Sequence, residues 1–290
     1  MSLPNIRSQP ENYSHENPTM NAYLILCHRA PTHILTLAQR HPTEQYYIHY
    51  DAKAPLIKLD SLKNQLNIHI VRNRIDVNWG GFSMIEATLV LIQAALANKN
   101  NRHFHLMSGD CVPLKTPEQL AQICQMQPEN TVWLHSKNTP HLRYRTRFNA
   151  PHADTKWQRK LIGKILTRSL KIADKLIPSS ETCLSGSQWF SANRAALQIL
   201  FNESLGDPTA FFEKKLVPDE HFFQHIVAQN SGSLNHINDN HRFIRFAENA
   251  NHPDALTLDD LWAAQRQDFW FARKVSPENI ERFLQYETQL

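Results

Sequence analysis

The sequence has few cysteines and no long apolar run. Its four cysteines lie far apart and form no CxxC pair, so a structural zinc site is not expected at Cys27, Cys111, Cys124 or Cys183. No run approaches the ~20 apolar residues that a membrane span needs. Residues 1–20 are polar and lack the apolar core of an export signal. We therefore expect a flexible N-terminal tail over residues 1–20 and reduced thiols in the cytoplasm.

Several nucleotide-binding and hydrolase motifs are also missing. There is no GxxxxGKS/T phosphate loop, no GxGxxG follows the first predicted strand, and residues 185–187 (SGS) do not form a GxSxG elbow. No Asp-x-Asp pair occurs either, although many sugar-nucleotide enzymes use that pair to hold a divalent metal on the diphosphate. A sugar-nucleotide enzyme with this sequence must therefore use side-chain cations in place of the metal.

Sixteen histidines raise the question of a metal site. His221 and His225 are spaced to share one helical face, but Phe222 rather than glutamate follows the first of them. His103 and His105 are spaced to share one face of a strand. Neither pair has a carboxylate at the spacing of a third ligand, so we expect no bound metal and no cofactor.

The charge balance is mildly basic. There are 31 lysines and arginines against 27 aspartates and glutamates, a net charge of +4, and the pI is near 8.8. Such an excess suits a phosphate-bearing ligand or an anionic membrane surface. It is too weak by itself to indicate nucleic acid, whose binding proteins concentrate more positive charge, and we expect no nucleic acid partner.

Apolar, β-rich runs alternate with helical spacing along the first 135 residues. Strands are predicted at 21–28, 46–50, 68–71, 103–107 and 131–135, and helices at 31–40 and 83–97. Ser83 is placed to cap the second helix. The alternation predicts an α/β fold, a largely parallel twisted sheet with helices on both faces, in one domain over residues 21–290.

Three polar residues fall at the ends of predicted strands. His28 follows the first strand, Asp51 the second and Asp110 the fourth. Because ligands of parallel sheets bind beyond the carboxyl ends of the strands, these residues are candidates for the lining of a site. A role in a turn is the alternative for each of them.

Residues 136–178 interrupt the alternation. Residues 136–154 are rich in Pro, His and Arg and are predicted to form a loop. Residues 156–177 have the spacing of a basic amphipathic helix. Its charges indicate either a solvated surface or a face that binds a membrane or an acceptor.

The segment VPDEHFF (217–223) places two carboxylates after a proline, at the predicted start of an apolar helix. Asp219 is the candidate cap, and Glu220 falls in the first turn. A carboxylate held there against apolar surface can act as a general base, and its alternative role is to favour the helix dipole. The basic segments HRFIRF (241–246) and FARKV (271–275) follow and suggest a cationic clamp for a phosphorylated leaving group.

Eight segments together resemble the core-2/I-branching β-1,6-N-acetylglucosaminyltransferases, a family that includes the protein xylosyltransferases. The resemblance covers most of the chain and rests on the order and spacing of these segments: AYLILCHR (22–29), YIHYDAK (47–53), VNWGGFSMIEATL (77–89), HLMSGDCVPLKT (105–116), SGSQWF (185–190), PDEHFF (218–223), HRFIRF (241–246) and FARKV (271–275).

The resemblance implies a GT-A-like fold and an inverting reaction that needs no metal. It assigns the catalytic base to Glu220 and the diphosphate clamp to Arg242 and Lys274, with Arg245 as the substitute for Arg242. The resemblance places Asp51, Trp79, Gly80 and Gly81 near the donor. His28 and Asp110 are added as donor-site candidates because they fall at strand ends. Trp189 and Asp219 are the acceptor-site candidates; the indole of Trp189 can stack on a sugar face, and its alternative role is to fill the core. Asp110 stands one place before the aspartate of the family's SGxDxP pattern, which is a departure from that pattern.

The sequence therefore predicts an inverting, metal-independent glycosyltransferase that moves a sugar from a UDP-sugar to a hydroxyl of a glycan or lipid-linked glycan. GlcNAc is the preferred donor sugar, and xylose, glucose and galactose remain open. Animal members of the family have a membrane anchor and a cysteine-rich lumenal domain, and we expect this protein to have neither. We expect a soluble bacterial member that builds surface polysaccharide or lipooligosaccharide, in peripheral contact with the inner membrane through residues 156–177.

A basic binding module for nucleic acid or anionic membrane, without catalysis, is the alternative function. Its support is the helix predicted at 156–177 and the arginine-rich segment RYRTR (143–147).

Overall fold

A computed structural model describes residues 20–247 and 253–287. Its strands are β1 (Met20–Cys27), β2 (Gln45–Tyr50), β3 (Ile68–Ile70), β4 (Asn101–Ser108), β5 (Val112–Pro113), β6 (Thr131–Trp133), β7 (Lys137–Asn138), β8 (Leu184–Ser185), β9 (Ser191–Asn193), β10 (Asn235–Ile237), β11 (Arg242–Ile244) and β12 (Phe271–Arg273). The predicted N-terminal tail lies outside the described residues, except for Met20 at the start of β1.

The helices alternate with these strands. They are α1 (His33–Arg40), α2 (Asp60–Lys63), α3 (Ser83–Ala97), α4 (Pro117–Gln125), α5 (Tyr144–Arg147), α6 (Leu161–Leu176), α7 (Arg194–Ser204), α8 (Asp207–Phe212), α9 (Phe222–Gln229), α10 (Leu258–Gln265) and α11 (Pro277–Glu287). Short 3₁₀ turns occupy Leu56–Leu59, Pro140–Leu142 and Pro218–Glu220. In the described part of the chain, every helix is too short or too polar to cross a membrane.

The central sheet has seven strands in the order β10-β6-β9-β4-β1-β2-β3. Strands β4, β1, β2 and β3 are parallel, and Leu24 pairs with Tyr47 of β2 and Leu106 of β4. The exception is β9, which runs antiparallel between β4 and β6. The predicted α/β class with a largely parallel sheet is therefore confirmed.

Alternate residues of the strands build two cores, one on each face of the sheet. Tyr23 and Ile25 of β1 face a core that includes α1, α4, α10 and α11. Ala22 and Leu24 face the opposite core, which includes α3, α7 and α9. Each large apolar side chain that is removed from water in this way contributes about 1.5–3 kcal/mol to folding. Helices cover both faces, as predicted.

A second, three-stranded sheet holds the basic segments together. Its order is β11-β12-β5, with β11 parallel to β12 and β5 antiparallel to β12. Arg242 pairs with Phe271, and Ala272 pairs with Val112. The segments HRFIRF and FARKV, 30 residues apart in sequence, are therefore adjacent, and the segment after Asp110 lies beside them.

Two details of the sequence prediction need correction. Ser83 does not cap α3, because it lies inside the first turn and its hydroxyl donates to Oδ1 of Asp154 at 2.7 Å. The basic helix begins at Leu161 rather than Lys156, since the preceding residues form turns against the rest of the protein.

Candidate functional site

The carboxyl ends of β1, β2 and β4 meet at one edge of the sheet. The amide of Gly109 donates to the carbonyl of Leu26 at 2.9 Å, and the amide of Asp51 donates to the carbonyl of Cys27 at 2.9 Å. His28 is exposed at this edge. The structure therefore brings together the three strand ends that the sequence singled out, as expected from their parallel order.

Asp51 is a buried carboxylate with a local partner. Its Oδ1 accepts from the amide of Lys53 at 2.8 Å, and its Oδ2 lies 3.3 Å from Nζ of Lys53. The guanidinium of Arg74 donates to the carbonyl of Tyr50 at 2.8 Å and also to the carbonyl of Asp51. These contacts fix the chain where it leaves β2.

Lys274 joins the same edge from the second sheet. Its Nζ lies 3.6 Å from Oδ2 of Asp110, and the amide of Val275 donates to the carbonyl of Asp110 at 3.0 Å. The Lys274 side chain is 46% exposed, so its ammonium has room for a further anion. Asp110 is thus placed beside the predicted clamp lysine, despite its shift of one position from the family pattern.

Arg242 is buried at 6% exposure, away from open surface. Its Nη1 donates to Oγ of Ser191 at 2.9 Å and to the carbonyl of Asn240, while its Nη2 donates to the carbonyls of Phe190 at 2.8 Å and Leu106 at 3.2 Å. Burial lowers its pKa to about 9, which leaves the guanidinium charged at neutral pH. This environment differs from the direct diphosphate contact that the sequence predicts, because protein oxygens already occupy both terminal nitrogens.

Arg245, the predicted substitute, lies beyond the end of β11 and is partly exposed. Its Nη1 donates to Oδ1 of Asp260 at 2.5 Å, and its Nε lies 3.8 Å from Oδ2 of Asp254. The two carboxylates hold the guanidinium at the surface without burying it.

The Trp79-Gly80-Gly81 turn leads into α3. Gly80 has φ +68, a left-handed conformation that favours glycine, and its carbonyl accepts from the amide of Val217 at 3.1 Å. A Cβ on Gly81 would lie 2.0 Å from Oδ1 of Asp154. The turn is therefore packed directly against the residue that precedes the Pro218–Glu220 turn.

Glu220 ends the 3₁₀ turn immediately before α9. Its backbone carbonyl accepts from the amide of Gly186 at 2.9 Å, and its Oε2 accepts from Nη1 of Arg145 at 2.6 Å. The Glu220 side chain is 41% exposed, so its carboxylate is held on one side and open on the other. Burial lowers the pKa of Arg145, but the Glu220 carboxylate and the Tyr144 hydroxyl together raise it by more, so the net shift of the pKa is upward.

Asp219 is placed differently from its neighbour. Its Oδ1 is buried and, within the described residues, has no hydrogen-bond partner. Burial, followed by the charge of Glu220, raises the pKa of Asp219 to about 7. It does not cap α9, whose N-cap is His221 without a side-chain hydrogen bond. A carboxyl group of this kind can hold or release a proton near neutral pH.

Trp189, predicted at the acceptor, is buried. The guanidinium of Arg273 lies 4.7 Å from its ring centroid, and Nδ2 of Asn240 donates to its carbonyl at 3.1 Å. One face of the indole is thus covered by a cation rather than open for a sugar. Arg273 precedes Lys274, so this contact also ties the clamp segment to the SGSQWF segment.

Arg145 is a functional candidate that the sequence pattern does not single out. It lies in the RYRTR segment, whose arginines were interpreted as a binding surface. Arg143 and Arg147 instead bond to Asp174 of α6 at 2.9 and 3.2 Å, which leaves Arg145 to face Glu220. The three arginines alternate along this segment, and since the segment forms helix α5, this alternation is the sequence signal that distinguishes Arg145 from Arg143 and Arg147.

The histidine pairs serve as packing and hydrogen-bonding groups. Nδ1 of His103 lies 2.8 Å from Oδ1 of Asn193, and Nδ1 of His105 lies 2.8 Å from Oγ of Ser191. Over residues 20–247 and 253–287, no three His, Cys, Asp or Glu side chains are grouped to hold a metal ion.

Comparison with known proteins identifies the family. The family model described as "Core-2/I-Branching enzyme" matches residues 21–269, which is most of the chain. The chain therefore belongs to the Core-2/I-Branching enzyme family. The family resemblance inferred from the eight segments is thereby confirmed.

Individual relatives are distant. Xylosyltransferase 1 of Rattus norvegicus is 24% identical over 79% of this chain and 28% of its own length. Glycosyltransferase BC10 of Oryza sativa subsp. japonica is 28% identical over 55% of this chain and 39% of its own. The chain thus spans well under half the length of the curated relatives it matches. Mannose-1-phosphate geranyltransferase of Thermus thermophilus aligns over 74% of this chain and 70% of its own, with TM-score 0.33 and 9% identity, a likeness too weak to carry an argument.

Proposed function

We propose that this protein is an inverting glycosyltransferase that transfers a sugar from a UDP-sugar to a hydroxyl group of a glycan acceptor. One observation carries the proposal: the half-exposed carboxylate of Glu220 is oriented by Arg145 at 2.6 Å and belongs to the turn whose preceding residue packs on the Trp79–Gly81 turn. Membership of the Core-2/I-Branching enzyme family supports the reaction class.

In the proposed reaction, the acceptor hydroxyl attacks the anomeric carbon of the donor as its proton passes to Glu220. The bond from the anomeric carbon to the UDP oxygen breaks, and the electron pair leaves with UDP. A single displacement inverts the configuration and gives a β-linked product from an α-linked donor. Arg145 orients the carboxylate through its 2.6 Å hydrogen bond to Oε2.

Negative charge on the departing UDP needs a fixed cation. Lys274 is the best-placed candidate, because it is partly exposed at the carboxyl edge of the sheet and Asp110 holds its ammonium. Arg245 is the second candidate for the diphosphate. Arg242 is proposed to support the site indirectly, since its guanidinium ties β11 to the carbonyls of Leu106 and Phe190. Such fixed cations support a reaction without a metal.

The donor sugar is proposed to be GlcNAc, with xylose, glucose and galactose as the competing candidates. His28 and Asp51 are proposed to contact the donor at the strand ends, and Asp219 to contact the acceptor beside Glu220. The acceptor is proposed to be a glycan or lipid-linked glycan of a bacterial surface polysaccharide or lipooligosaccharide.

The decisive experiment is a screen of sugar nucleotides for UDP release in the presence of glycan acceptors, with and without EDTA. We expect release that EDTA does not suppress, and Glu220→Gln is expected to lower it by about 10²–10⁴-fold while UDP still binds. Glu203→Gln, on the exposed surface of α7, is the matched control and is expected to retain activity.

Two results would contradict the proposal. Normal turnover by the Glu220→Gln variant would show that Glu220 is not the base. UDP release that requires added divalent metal would show that side-chain cations do not replace the metal. If sugar nucleotides fail entirely, binding of DNA at increasing salt tests the alternative of a basic binding module, because phosphate contacts weaken steeply with salt.

A further inference from the structure

Helix α6 carries six of its seven large apolar side chains on the outside of the protein. Leu161 is 74% exposed and Ile165 is 57% exposed. The other large apolar residues with substantial exposure on this helix are Ile162, Leu166, Ile172 and Leu176. A surface helix of a soluble protein usually turns such residues toward the core. Six large apolar residues of this helix do the opposite, while Leu170 packs against a small buried cluster.

These side chains form one continuous stripe. At 100° per residue, the six exposed large apolar residues of α6 lie within an arc of about 140°. Lys164, Arg168, Lys171 and Lys175 lie together in a separate arc of about 60°, which begins about 20° from the stripe at Arg168. Leucines and isoleucines beside a row of lysines and arginines are the arrangement of helices that lie in the plane of a membrane interface.

The remaining face of α6 is fixed against the protein, so the stripe cannot rotate inward. Asp174 is buried and bonds to Arg143 at 2.9 Å and to Arg147 at 3.2 Å. Oγ1 of Thr167 lies 2.9 Å from Nε2 of His152. A Cβ on Gly163 would lie 2.3 Å from the carbonyl of Trp157, so the helix packs there as closely as glycine allows.

The charge around the stripe has one sign. Residues 156–177 contain seven cationic residues and one acidic residue, Asp174, whose charge is already neutralised inside the protein. The cationic residues are Lys156, Arg159, Lys160, Lys164, Arg168, Lys171 and Lys175. Pairing of this face with a second copy would bring two such sets together, which disfavours self-association. An anionic surface with an apolar interior complements both properties.

We propose that the apolar stripe of α6 and its flanking lysines and arginines dock this protein on an anionic lipid bilayer. The apolar side chains enter the boundary between headgroups and acyl chains, and the cations contact lipid phosphates. This docking can be tested apart from the sugar-transfer reaction, because the docking surface includes neither Glu220 nor Lys274.

The segment before α6 links this surface to the candidate site. Nε2 of Gln158 donates to the carbonyl of Gly80 at 2.8 Å, and the guanidinium of Arg159 lies 5.1 Å from the ring centroid of Trp79. A docked α6 therefore places the Trp79–Gly81 turn close to the bilayer. If the proposed function holds, the acceptor reaches the site from the membrane surface.

The test is co-sedimentation of the full chain with phosphatidylcholine vesicles, with and without phosphatidylglycerol. We expect binding only when the anionic lipid is present, and its loss near 1 M salt, where charges are screened beyond about 3 Å. The double variant Lys164→Gln with Arg168→Gln is expected to weaken the partition coefficient by about thirtyfold, and Ile165→Asn by about tenfold. Leu205→Asn, at an exposed position outside α6, is expected to bind as the wild type does.

Several outcomes overturn the proposal. These are no binding to anionic vesicles, binding that α6 variants leave unchanged, and a wild-type dimer in sedimentation velocity that Ile165→Asn converts to monomer. The last result would make a second copy the occupant. If Ile165→Asn lowers the melting temperature, the variant Ile172→Asn is used in its place. Vesicle binding and sedimentation velocity do not depend on sugar transfer, so a failed transfer assay does not affect this test.

Discussion

The guanidinium of Arg145 and the carboxylate of Glu220 form a 2.6 Å ion pair between residues 75 positions apart in the chain. The pair sits where α5 meets the turn before α9, and it restricts the orientation of the carboxylate. If Glu220 is the base, Arg145 is its positioning residue.

Arg145→Ala is therefore expected to lower kcat by about tenfold to a hundredfold, because a misplaced general base loses its alignment with the acceptor hydroxyl. In a double-mutant cycle with Glu220→Gln, the two effects should be strongly non-additive. Arg147→Ala is the control within the same helix, since Arg147 bonds to Asp174 instead. Additive losses in the cycle would show that Arg145 acts elsewhere.

Lys274→Ala is expected to weaken UDP binding by about tenfold to a hundredfold, because one charged hydrogen bond to phosphate is lost. Isothermal titration calorimetry in EDTA measures the affinity. Lys63→Ala removes a surface lysine that pairs with Asp60 at 2.5 Å on α2, and should leave UDP affinity unchanged. Equal affinity for Lys274→Ala and wild type would argue against the clamp and leave Arg245→Ala as the next variant.

Arg242→Met is expected to lower the free energy of unfolding by about 3 kcal/mol, because carbonyls of Leu106, Phe190 and Asn240 lose a buried donor. Urea denaturation measures the change. Arg266→Met, at the exposed end of α10, should change stability by less than about 0.5 kcal/mol. If Arg242 instead contacts diphosphate directly, its variant will keep normal stability and lose UDP affinity.

Asp219 is expected to make stability fall as pH rises. Its pKa is raised from 3.8 to about 7, so between these values the unfolded chain is ionised while the folded protein keeps the proton. The Asp219→Asn variant lacks this ionisable group and should be more stable than wild type by about 4 kcal/mol above pH ~7, with little difference below pH ~4. Thermal melts across this window measure the gap, and Asp207→Asn, at the exposed start of α8, should show none. A stability difference between variant and wild type that grows as the pH falls would contradict a raised pKa of Asp219.

Gly81→Ala is expected to destabilise the Trp79–Gly81 turn by about 1–3 kcal/mol, since its Cβ would overlap Asp154. Donor binding should weaken with it. Gly232→Ala adds the same atom where nothing lies within 4 Å, and thermal unfolding should show little change. A fully stable Gly81→Ala protein would mean that the Asp154 contact is easily displaced.

The sequence predicts the strands and helices whose apolar residues recur at a regular local spacing. The apolar runs that became β1, β2 and β4 were found within a few residues, and α3 was predicted at the range it occupies, Ser83–Ala97. Parallel order then placed His28, Asp51 and Asp110 at one edge. These features depend on spacing along a single segment, which the sequence displays directly.

Features that depend on distant contacts could not be predicted. The alternation in HRFIRF does not show which of the two arginines is buried. Arg242 is buried because it is surrounded by the Ser191 hydroxyl and by carbonyls of β4 and of the residue before β9. The Arg145–Glu220 pair joins segments with no shared pattern. Helix α6 was found from its amphipathic spacing, but the outward direction of its apolar side follows from the ion pairs of Asp174.

Strand β1 is hydrogen-bonded on both sides, to β2 and to β4, although it is the first described strand in the chain. During synthesis, β1 can pair with β2 as soon as both have left the ribosome. The other edge of β1 stays unpaired until residues 101–108, which form β4, have also emerged. Until then, an apolar sheet edge and both unfinished layers face solvent, and such edges favour aggregation and chaperone capture. The strand at the centre of the finished sheet is therefore exposed for part of its synthesis.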